Sequence, residues 1–458
     1  MKNLRITTHK FQVLTVLVFA LLVKISFAQT AKDTGKFSFS LQQAIDYAIK
    51  NQVQMQNAQI DEQIANEKVK ETIGIGLPQI GGSLSTQDFL EIPTSLIPAK
   101  AFNPSAPPDM YVPVKFGIQY GASAGVEVSQ LVFNSDYLVG LQATKTYLEL
   151  SKKATQRTQI EVKTAVTKAY YAVLLNDERL KLLEANIARI KKLSDDTKIL
   201  NDNGFVEKID LDRISVAYNN LITEKEKIQR QMELGNALLK FQMGMNQKAT
   251  LTVSDKLADI KFQSNISADK IDFEKRVEYS LMQTQKNLAQ LQLKQNKLRY
   301  LPTAVLFGSG SANAYRSKFD FFDTKKVWYP TILIGGKINV GIFDGFQTHH
   351  RIQQAKLNLV KSENNLTMIQ QVIELEVASS KANLLNASAS LEMHKKNIEL
   401  AEGIYKASKT KYEQGVGSNL EVMSAETSLK EAQTNYFSAL YDALISKVDF
   451  DKANGNIK

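Results

Sequence analysis

Few residues in this sequence could do chemistry. The chain has no cysteine, which excludes thiol nucleophiles, disulfides, iron–sulfur clusters and thiolate zinc sites. Four histidines are present, and among them only His349 and His350 lie close together. Adjacent residues on a helix point in different directions, so we interpret this pair as solvated rather than as a metal site. With no phosphate-binding glycine loop and no G-x-S-x-G elbow, we predict no catalytic residue, no metal and no cofactor.

The N-terminus has the pattern of a secretory signal peptide. A basic stretch precedes the apolar run Phe11–Val23, and Ala28 closes a small-residue cleavage site. The apolar run is shorter than the roughly 20 residues that a membrane-spanning helix needs. We therefore predict a signal peptide at 1–28 and an exported protein. This segment carries four of the positive charges behind the net charge of +10, so the mature chain is only mildly basic and nucleic-acid binding is not expected.

Proline and glycine are concentrated in two windows of the 458-residue chain. Seven of the nine prolines lie between Pro78 and Pro113, and 14 of the 22 glycines lie within 74–140 and 308–345. Residues 141–203 and 346–402 contain neither, and they are rich in Ala, Leu, Lys, Glu and Gln. Such sequences favour very long helices that need packing partners along their whole length. We predict long, coiled-coil-like helices at about 142–203 and 346–412.

The glycine- and proline-rich windows favour strands. Polar or small residues alternate with Ile338, Val340 and Ile342, and Val126 and Val128 follow a similar pattern. Each window predicts a hairpin, with strands at about 79–90 and 116–133, and at about 303–315 and 326–343. Aromatic residues lie near the strand ends, which is typical of transmembrane β-strands. An ordinary hairpin with aromatic packing explains each window equally well when the window is taken alone.

An internal repeat links these segments. A single offset of 211 residues relates Gly204 to Gly415 and Asp210 to Glu421. We therefore predict a first repeat at 29–247, a linker at 248–270 and a second repeat at 271–458. Each repeat reads helix, hairpin, long helix, turn, helix. Because four strands cannot close a membrane barrel, a membrane role requires several copies of the chain.

The sequence closely resembles the TolC-like family of outer-membrane efflux proteins, the outer membrane factors, over essentially the whole mature chain. Three motifs carry most of the resemblance: Leu41-x-x-Ala44-Ile45-x-x-Ala48-Ile49, Phe343-Asp344-Gly345, and Tyr412-x-x-Gly415-x-x-Ser418-x-Leu420-Glu421. The resemblance implies an α+β membrane protein built from a duplicated helix–hairpin–long helix–helix unit. It also implies a homotrimer with a 12-stranded outer-membrane β-barrel continuous with a 12-helix periplasmic α-barrel.

The resemblance further implies a channel-tunnel of a tripartite efflux or type I secretion system, which conducts substrates passively through the outer membrane. Its partners would be a periplasmic adaptor (membrane fusion) protein and an inner-membrane pump of the RND or ABC type, besides outer-membrane lipid. The shorter helices near 41–75 and 207–245, and near 271–300 and 419–452, would stack beside the long ones. The linker 248–270 would be equatorial, and residues 91–113 would form an extracellular loop.

Site residues follow from the same resemblance. Asp210 and Glu421 match acidic positions that line the periplasmic aperture, and Tyr412 matches a tyrosine of the gating network. The arginine of that network aligns with Gly417, and a further acidic position aligns with Ser424, so this sequence departs from the family's usual latch. The helical-hairpin tips that would contact the adaptor are Gly204, Phe205, Gly415, Val416 and Gly417.

Two other function classes compete with a conduit. A periplasmic coiled-coil adaptor or scaffold without a membrane barrel explains the long helices, but not two alternating hairpins bounded by aromatic residues. An exported enzyme is the third class, and the missing site chemistry argues against it.

Overall fold

The computed structural model describes residues 35–257 and 271–457, and the predicted signal peptide lies outside them. The described chain divides into two compact units. One contains residues 35–52 and 169–257, and the other contains 53–168 and 271–457. The predicted linker at 248–270 is only partly described.

Long helices and one four-stranded sheet account for most of the described residues. In chain order the elements are β1 (Lys36–Phe39), α1 (Leu41–Asn51), α2 (Val53–Ile75), β2 (Gln79–Asp88), β3 (Thr94–Pro98), β4 (Tyr111–Lys115), β5 (Tyr120–Phe133), α3 (Ser135–Asp202), α4 (Lys208–Met243), β6 (Thr250–Val253), α5 (Val277–Leu298), β7 (Thr303–Arg316), β8 (Tyr329–Asn339), α6 (Gln347–Glu413) and α7 (Asn419–Ala453).

The two long helices have 68 and 67 residues, and the second of them, α6, rises about 100 Å along its axis. The prediction placed the start of α3 at 142, but the helix begins at Ser135. Asn134 caps it by accepting the backbone N–H of Tyr137 (3.0 Å), and Gly140 lies inside it beside open space. A glycine can be tolerated within a helix, at a cost of roughly 1 kcal/mol relative to alanine. No helix among the described residues is both long and apolar enough to span a membrane.

The single helix expected near 41–75 is two helices. Gln52 adopts an extended conformation between α1 and α2, and its N–H donates to the carbonyl oxygen of Ala48. The backbone of Gly244 approaches Asn51 and Gln52 so closely that a Cβ at 244 would lie 2.5 Å from the Asn51 oxygen. This contact between distant segments, which propensity alone cannot reveal, accompanies the break.

In the first unit, β1 and β6 pair in parallel, and the buried side chain of Tyr170 forms hydrogen bonds beside them. The hydroxyl of Tyr170 donates to the carbonyl oxygen of Phe39 (3.0 Å) and to the carboxylate of Asp255 (2.9 Å). The same carboxylate accepts the backbone N–H of Leu41 at the start of α1 (2.8 Å). Burial, with the Asp255 contact, raises the pKa of the Tyr170 hydroxyl. Tyr170 therefore remains a neutral hydrogen-bond donor.

In the second unit, four antiparallel strands form a sheet in the order β2-β5-β7-β8. Three of its strands were expected to be longer: β2 ends at Asp88, β5 begins at Tyr120, and β8 runs only from Tyr329 to Asn339. The strand predicted at 116–133 included residues 116–119, which instead belong to the connection before β5. Strands β2 and β8 are the two edges of this sheet.

The two faces of this sheet differ in chemistry because side chains alternate along each strand. One face is apolar and exposed, with Leu84 at 76% exposure, Ile332 at 81% and Ile334 at 85%. The paired registers place further branched aliphatic residues on this face: Ile80, Val126, Val128 and Ile338. The opposite face is mostly small and polar, with Ser83, Gln87, Ser123, Glu127, Ser309, Ser311, Asn313 and Thr331, and it also holds Val305, Phe307, Tyr315 and Leu333.

The segment expected as a loop at 91–113 has regular structure. Strands β3 and β4 pair as an antiparallel hairpin, with Leu96 opposite Pro113 and Ile97 opposite Val112. A short 3₁₀ turn at Ala99–Ala101 follows β3, and Ala99 is buried. The many prolines led us to predict a loop here, because a proline within a segment usually argues against a strand.

Helix α6 packs along both α5 and α7 in the second unit. Buried aliphatic side chains form the contact surfaces. Arg276, which is buried just before α5, binds the C-terminal end of α7. Its guanidinium donates to the carbonyl oxygen of Ala453 (2.7 Å) and pairs with Glu278 (3.1 Å) and Glu376 (2.7 Å). Despite the burial of its guanidinium, these carboxylates raise the pKa of Arg276, so it stays charged.

Candidate docking turns and gate residues

The predicted site residues fall into two helix–helix turns. Gly204, Phe205 and Asp210 belong to the turn between α3 and α4, which we call turn 1 (residues 199–213) and which lies in the first unit. The other five lie in the turn between α6 and α7, which we call turn 2 (residues 410–424), in the second unit: Tyr412, Gly415, Val416, Gly417 and Glu421.

Turn 1 ends helix α3 with a left-handed glycine. Gly204 has φ of 79°, a conformation that glycine adopts without steric cost. The N–H of Gly204 donates to the carbonyl oxygen of Asn201 (2.9 Å), and that of Phe205 donates to Leu200 (2.8 Å). This pair of bonds is a Schellman motif, which satisfies the last carbonyl groups of the helix. Phe205 projects from the tip with 78% of its surface exposed.

Turn 2 repeats the same bonds. Gly415 has φ of 74°, and its N–H donates to the carbonyl oxygen of Tyr412 (3.0 Å). The N–H groups of Val416 and Gly417 both donate to Lys411 (3.0 and 3.1 Å). Val416 occupies the exposed tip, at 76% exposure. At each turn, therefore, glycine places one apolar side chain outward, where a partner could contact it.

The two acidic residues lie in the first turns of the helices that follow. Asp210 is about three-quarters buried and pairs with Arg213 (3.4 Å). Glu421 is exposed, and its carboxylate forms no ion pair within the described part of the chain. The charge of Asp210 is thus partly compensated, whereas that of Glu421 is available to solvent or to ions.

Two residues that the sequence reasoning missed close these turns. In turn 1, the side-chain amide of Asn201 donates to the carbonyl oxygen of Val206 (2.8 Å). In turn 2, the hydroxyl of Ser418 accepts the backbone N–H of Glu421 (3.2 Å) and so caps α7. The pattern Ser-x-x-Glu at 418–421 is a recognised helix-start signal and could have identified Ser418. No comparable signal marks Asn201.

Comparison with known proteins identifies the family. The sequence model described as "Outer membrane efflux protein" matches residues 280–456. The probable efflux pump outer membrane protein TtgC of Pseudomonas putida is 23% identical over 349 residues, covering 74% of this chain and 69% of TtgC. The outer membrane protein TolC of Vibrio cholerae is 19% identical over 337 residues, covering 73% of this chain and 77% of TolC.

Residues 280–456 of this chain belong to the outer membrane efflux protein family. The fold of the chain agrees with that of the outer membrane protein VceC of Vibrio cholerae, with a TM-score of 0.68 at 15% identity over 91% of this chain and 96% of VceC. The predicted TolC-like family is confirmed, and so is its location in the outer membrane with a periplasmic helical part. Outer membrane efflux proteins are channels, which confirms the prediction that the chain is not an enzyme.

Gly417 marks a local departure of this chain from the resemblance. A Cβ at this position would lie 2.9 Å from the backbone nitrogen of Tyr412 and 2.9 Å from the Cβ of Lys411. Backbone atoms cannot yield to such a contact without movement of the turn. The arginine that the resemblance implies at this position therefore does not fit this turn as folded.

Tyr412 is the remaining gate candidate. Its ring is half-buried, and its hydroxyl is enclosed without a hydrogen-bond partner among the described residues. The position equivalent to Tyr412 in turn 1 is Asn201, whose side chain is bonded. The hydroxyl is thus an enclosed polar group that no contact among the described residues satisfies.

The histidine pair belongs to neither turn. His349 and His350 are exposed at the start of α6, with ring centroids 5.3 Å apart in an edge-on contact. Within the described ranges, no group of three or more histidine or acidic side chains could hold a metal ion.

Proposed function

We propose that three copies of this outer membrane efflux protein form a passive conduit from the periplasm to the outside. The observation that carries the proposal is the two-faced sheet β2-β5-β7-β8. Its exposed aliphatic face suits contact with lipid, and its face of serine, asparagine and threonine suits a water-filled interior. Three such sheets joined edge to edge would give a 12-stranded barrel.

The free edges of the sheet support an oligomer. Strands β2 and β8 each have a neighbour on one side only in the described chain. Backbone groups left unpaired in lipid cost several kcal/mol each, so spanning sheets are closed ones. Pairing of β2 with β8 of the next copy would satisfy both edges at once, as cyclic symmetry requires. The same arrangement would surround the long helices α3 and α6 with neighbours, forming a 12-helix tunnel.

The exposed apolar tips suit a protein partner at the periplasmic end. Phe205 and Val416 lie more than three-quarters exposed on rigid turns, and Ile209 and Leu420 beside them are more than half exposed. We assign these turns to contacts with a periplasmic adaptor protein, which would join the conduit to an inner-membrane pump of the RND or ABC type. The protein would then work as the outer part of a tripartite efflux or type I secretion system.

The carboxylates near the tips would set the charge of the narrow end. Three copies would bring three Asp210 and three Glu421 side chains toward one aperture, and rings of acidic side chains favour cations. Tyr412 would complete the gate, with its half-buried ring near the tip of turn 2. The absence of room for an arginine at Gly417 implies that any latch here uses other contacts.

A matched pair of substitutions tests the membrane sheet. Ile332→Arg places a charge on the apolar face, where it should disfavour insertion by about 2–4 kcal/mol at the middle of the bilayer. Ser309→Arg places the same charge at nearly the same depth on the polar face, opposite Glu127 in the register. We expect the first variant to lose heat-modifiable trimers from the outer-membrane fraction, and the second to retain them.

Equal insertion of both variants would contradict the proposal, as would a soluble monomer formed by the unsubstituted protein. A periplasmic adaptor or scaffold, the competing function, has no need of the exposed aliphatic face and would tolerate both substitutions in solution. Conductance in planar bilayers would then separate a channel from an inert membrane protein.

A further inference from the structure

The connection between β7 and β8, residues 317–328, folds over one end of the apolar face. Phe321 is buried against Ala122 and Ala314, and Tyr120 and Trp328 pack around this cluster. Registers place Ala122, Ala314 and Tyr120 on the same face as Ile332 and Ile334. The connection is therefore anchored on the face that the proposed function assigns to lipid.

Both acidic side chains of this connection already have partners. Buried Arg316 lies at 5.7 Å from the ring centroid of Phe321 and pairs with Asp320 (3.3 Å). Lys326 also pairs with Asp320 and holds the pKa of that carboxyl below its usual range, so it is ionised. The carboxylate of Asp323 accepts the backbone N–H of Lys325 (3.0 Å). The acidic groups of the connection are thus already engaged.

Two lysines remain available. Lys318 and Lys325 are exposed, and their ammonium groups have no carboxylate partner within the described residues. Exposed apolar side chains lie beside them in the chain, with Phe322 at 88% exposure, Val327 at 68% and Phe319 at 59%. Aromatic rings at the border of an apolar face, next to unpaired ammonium groups, match the region where acyl chains meet phosphate head groups.

We propose that residues 317–328 bind the phosphate group of an anionic membrane lipid, with Lys318 and Lys325 as its cations and Phe319 and Phe322 against its acyl chains. The inference rests on the proposed function, because it requires the apolar face to lie in a membrane. Charge favours this connection over the other one. Residues 89–119 balance Lys100 and Lys115 against Glu91 and Asp109, whereas residues 317–328 carry three cations and two acids.

The chain supplies its own reporter, since Trp328 in this cluster is its only tryptophan. The purified mature protein would be reconstituted in mixed vesicles in which either phosphatidylglycerol or phosphatidylcholine carries brominated, quenching acyl chains. We expect brominated phosphatidylglycerol to quench Trp328 more strongly than brominated phosphatidylcholine at the same mole fraction. In the double variant Lys318→Ala/Lys325→Ala, the relative affinity for the anionic lipid should fall by about fivefold for each lysine removed.

Two control variants define the result. Lys318→Arg/Lys325→Arg should keep the preference, and Lys100→Ala/Lys115→Ala, on the other connection, should also keep it. An unchanged preference in Lys318→Ala/Lys325→Ala would overturn the inference, as would an equal loss in the Lys100 and Lys115 variant. Loss of the preference on addition of millimolar inorganic phosphate would point to a site for the free ion and would also overturn it.

The same experiment separates this inference from the proposed function. Quenching by brominated phosphatidylcholine requires only that Trp328 lies near acyl chains. Its complete absence would refute insertion of the sheet in the membrane. Quenching without any preference for phosphatidylglycerol would leave the membrane sheet intact and refute only the lipid-phosphate site.

Discussion

Turn 1 and turn 2 share their backbone hydrogen bonds and differ in the side chains that close them. In both, a left-handed glycine is followed by an exposed apolar residue, at positions related by 211 residues. Turn 1 is closed by the amide of Asn201, and its following helix has no side-chain cap at Glu207. Turn 2 is closed by a close backbone approach at Gly417 and by the Ser418 cap.

The difference teaches that the duplicated backbone tolerates different chemistry at equivalent positions. Tyr412 replaces the bonded Asn201, and Glu421, which forms no ion pair in the described chain, replaces the paired Asp210. The backbone hydrogen bonds define the turn, while side chains at equivalent positions can take different roles. If the turns specialise, substitutions at equivalent positions should have unequal effects.

The largest difference is expected at Gly417 and its counterpart Val206. Gly417→Ala forces a Cβ to within 2.9 Å of the Tyr412 backbone and should destabilise turn 2 by about 1 to 3 kcal/mol. Val206→Ala removes atoms from a position that already accepts a Cβ, so its effect should be smaller. Hydrogen exchange of the tip amides measures both. Equal protection of the tip amides in the two variants would show that turn 2 accommodates a Cβ at position 417 without loss of stability.

The next effect concerns the helix caps. Ser418→Ala removes the acceptor of the Glu421 N–H and should destabilise the start of α7 by about 1 kcal/mol. Glu207→Ser supplies a side chain of the capping type where turn 1 has none, and it should stabilise the start of α4. Exchange rates of the first-turn amides should move in opposite directions. A change of the same sign in both would argue that capping does not distinguish the turns.

The side chains at the equivalent positions 201 and 412 should also differ. Asn201→Ala removes the bond to the Val206 carbonyl, at a net cost of about 1 kcal/mol. Tyr412→Phe removes a hydroxyl that has no partner in the described chain, so thermal stability should not fall. A marked loss of stability in assembled Tyr412→Phe protein would show that another copy supplies the missing partner.

The smallest effect is expected in ion selectivity. Exposed charges contribute a fraction of a kcal/mol, so Glu421→Gln should lower the cation preference of single channels by about twofold. Asp210→Asn should change it less, because Arg213 already compensates Asp210, and Arg213→Gln should increase it. Planar-bilayer reversal potentials measure all three variants. Unchanged selectivity after neutralising both acids would show that Asp210 and Glu421 do not line the aperture.

Much of the fold could be predicted from local pattern. The long helices follow from residues 141–203 and 346–402, which lack glycine and proline, and the strands of the sheet follow from period-two alternation. Gly204 and Gly415 indicated the turns because their isolated positions suit a left-handed helix end. These features depend on a residue and its near neighbours in the chain, which is why they can be recognised from the sequence.

Other features depend on contacts between distant residues and could not be predicted. The break at Gln52 accompanies the approach of Gly244, and the Leu41 N–H at the start of α1 donates to Asp255, which lies 214 residues away in the sequence. The hairpin β3–β4 lies in a proline-rich segment whose local pattern disfavours strands. At the site, the positions of Asp210 and Glu421 could be anticipated, but the lack of room at Gly417 is a property of the folded turn.

The alternation of the sheet also restricts how its strands can change in evolution. Along β7, and along β5 as far as Leu131, each residue faces either the aliphatic or the serine-rich side, according to whether its number is even or odd, and a β-bulge between Leu131 and Phe133 interrupts this rule at the end of β5. Inserting or deleting one residue would exchange the two sides for the rest of that strand, whereas two residues would restore them. Length variation within these strands should therefore occur in steps of two unless a β-bulge accommodates the extra residue, as it does between Leu131 and Phe133, while the connections can vary by any number.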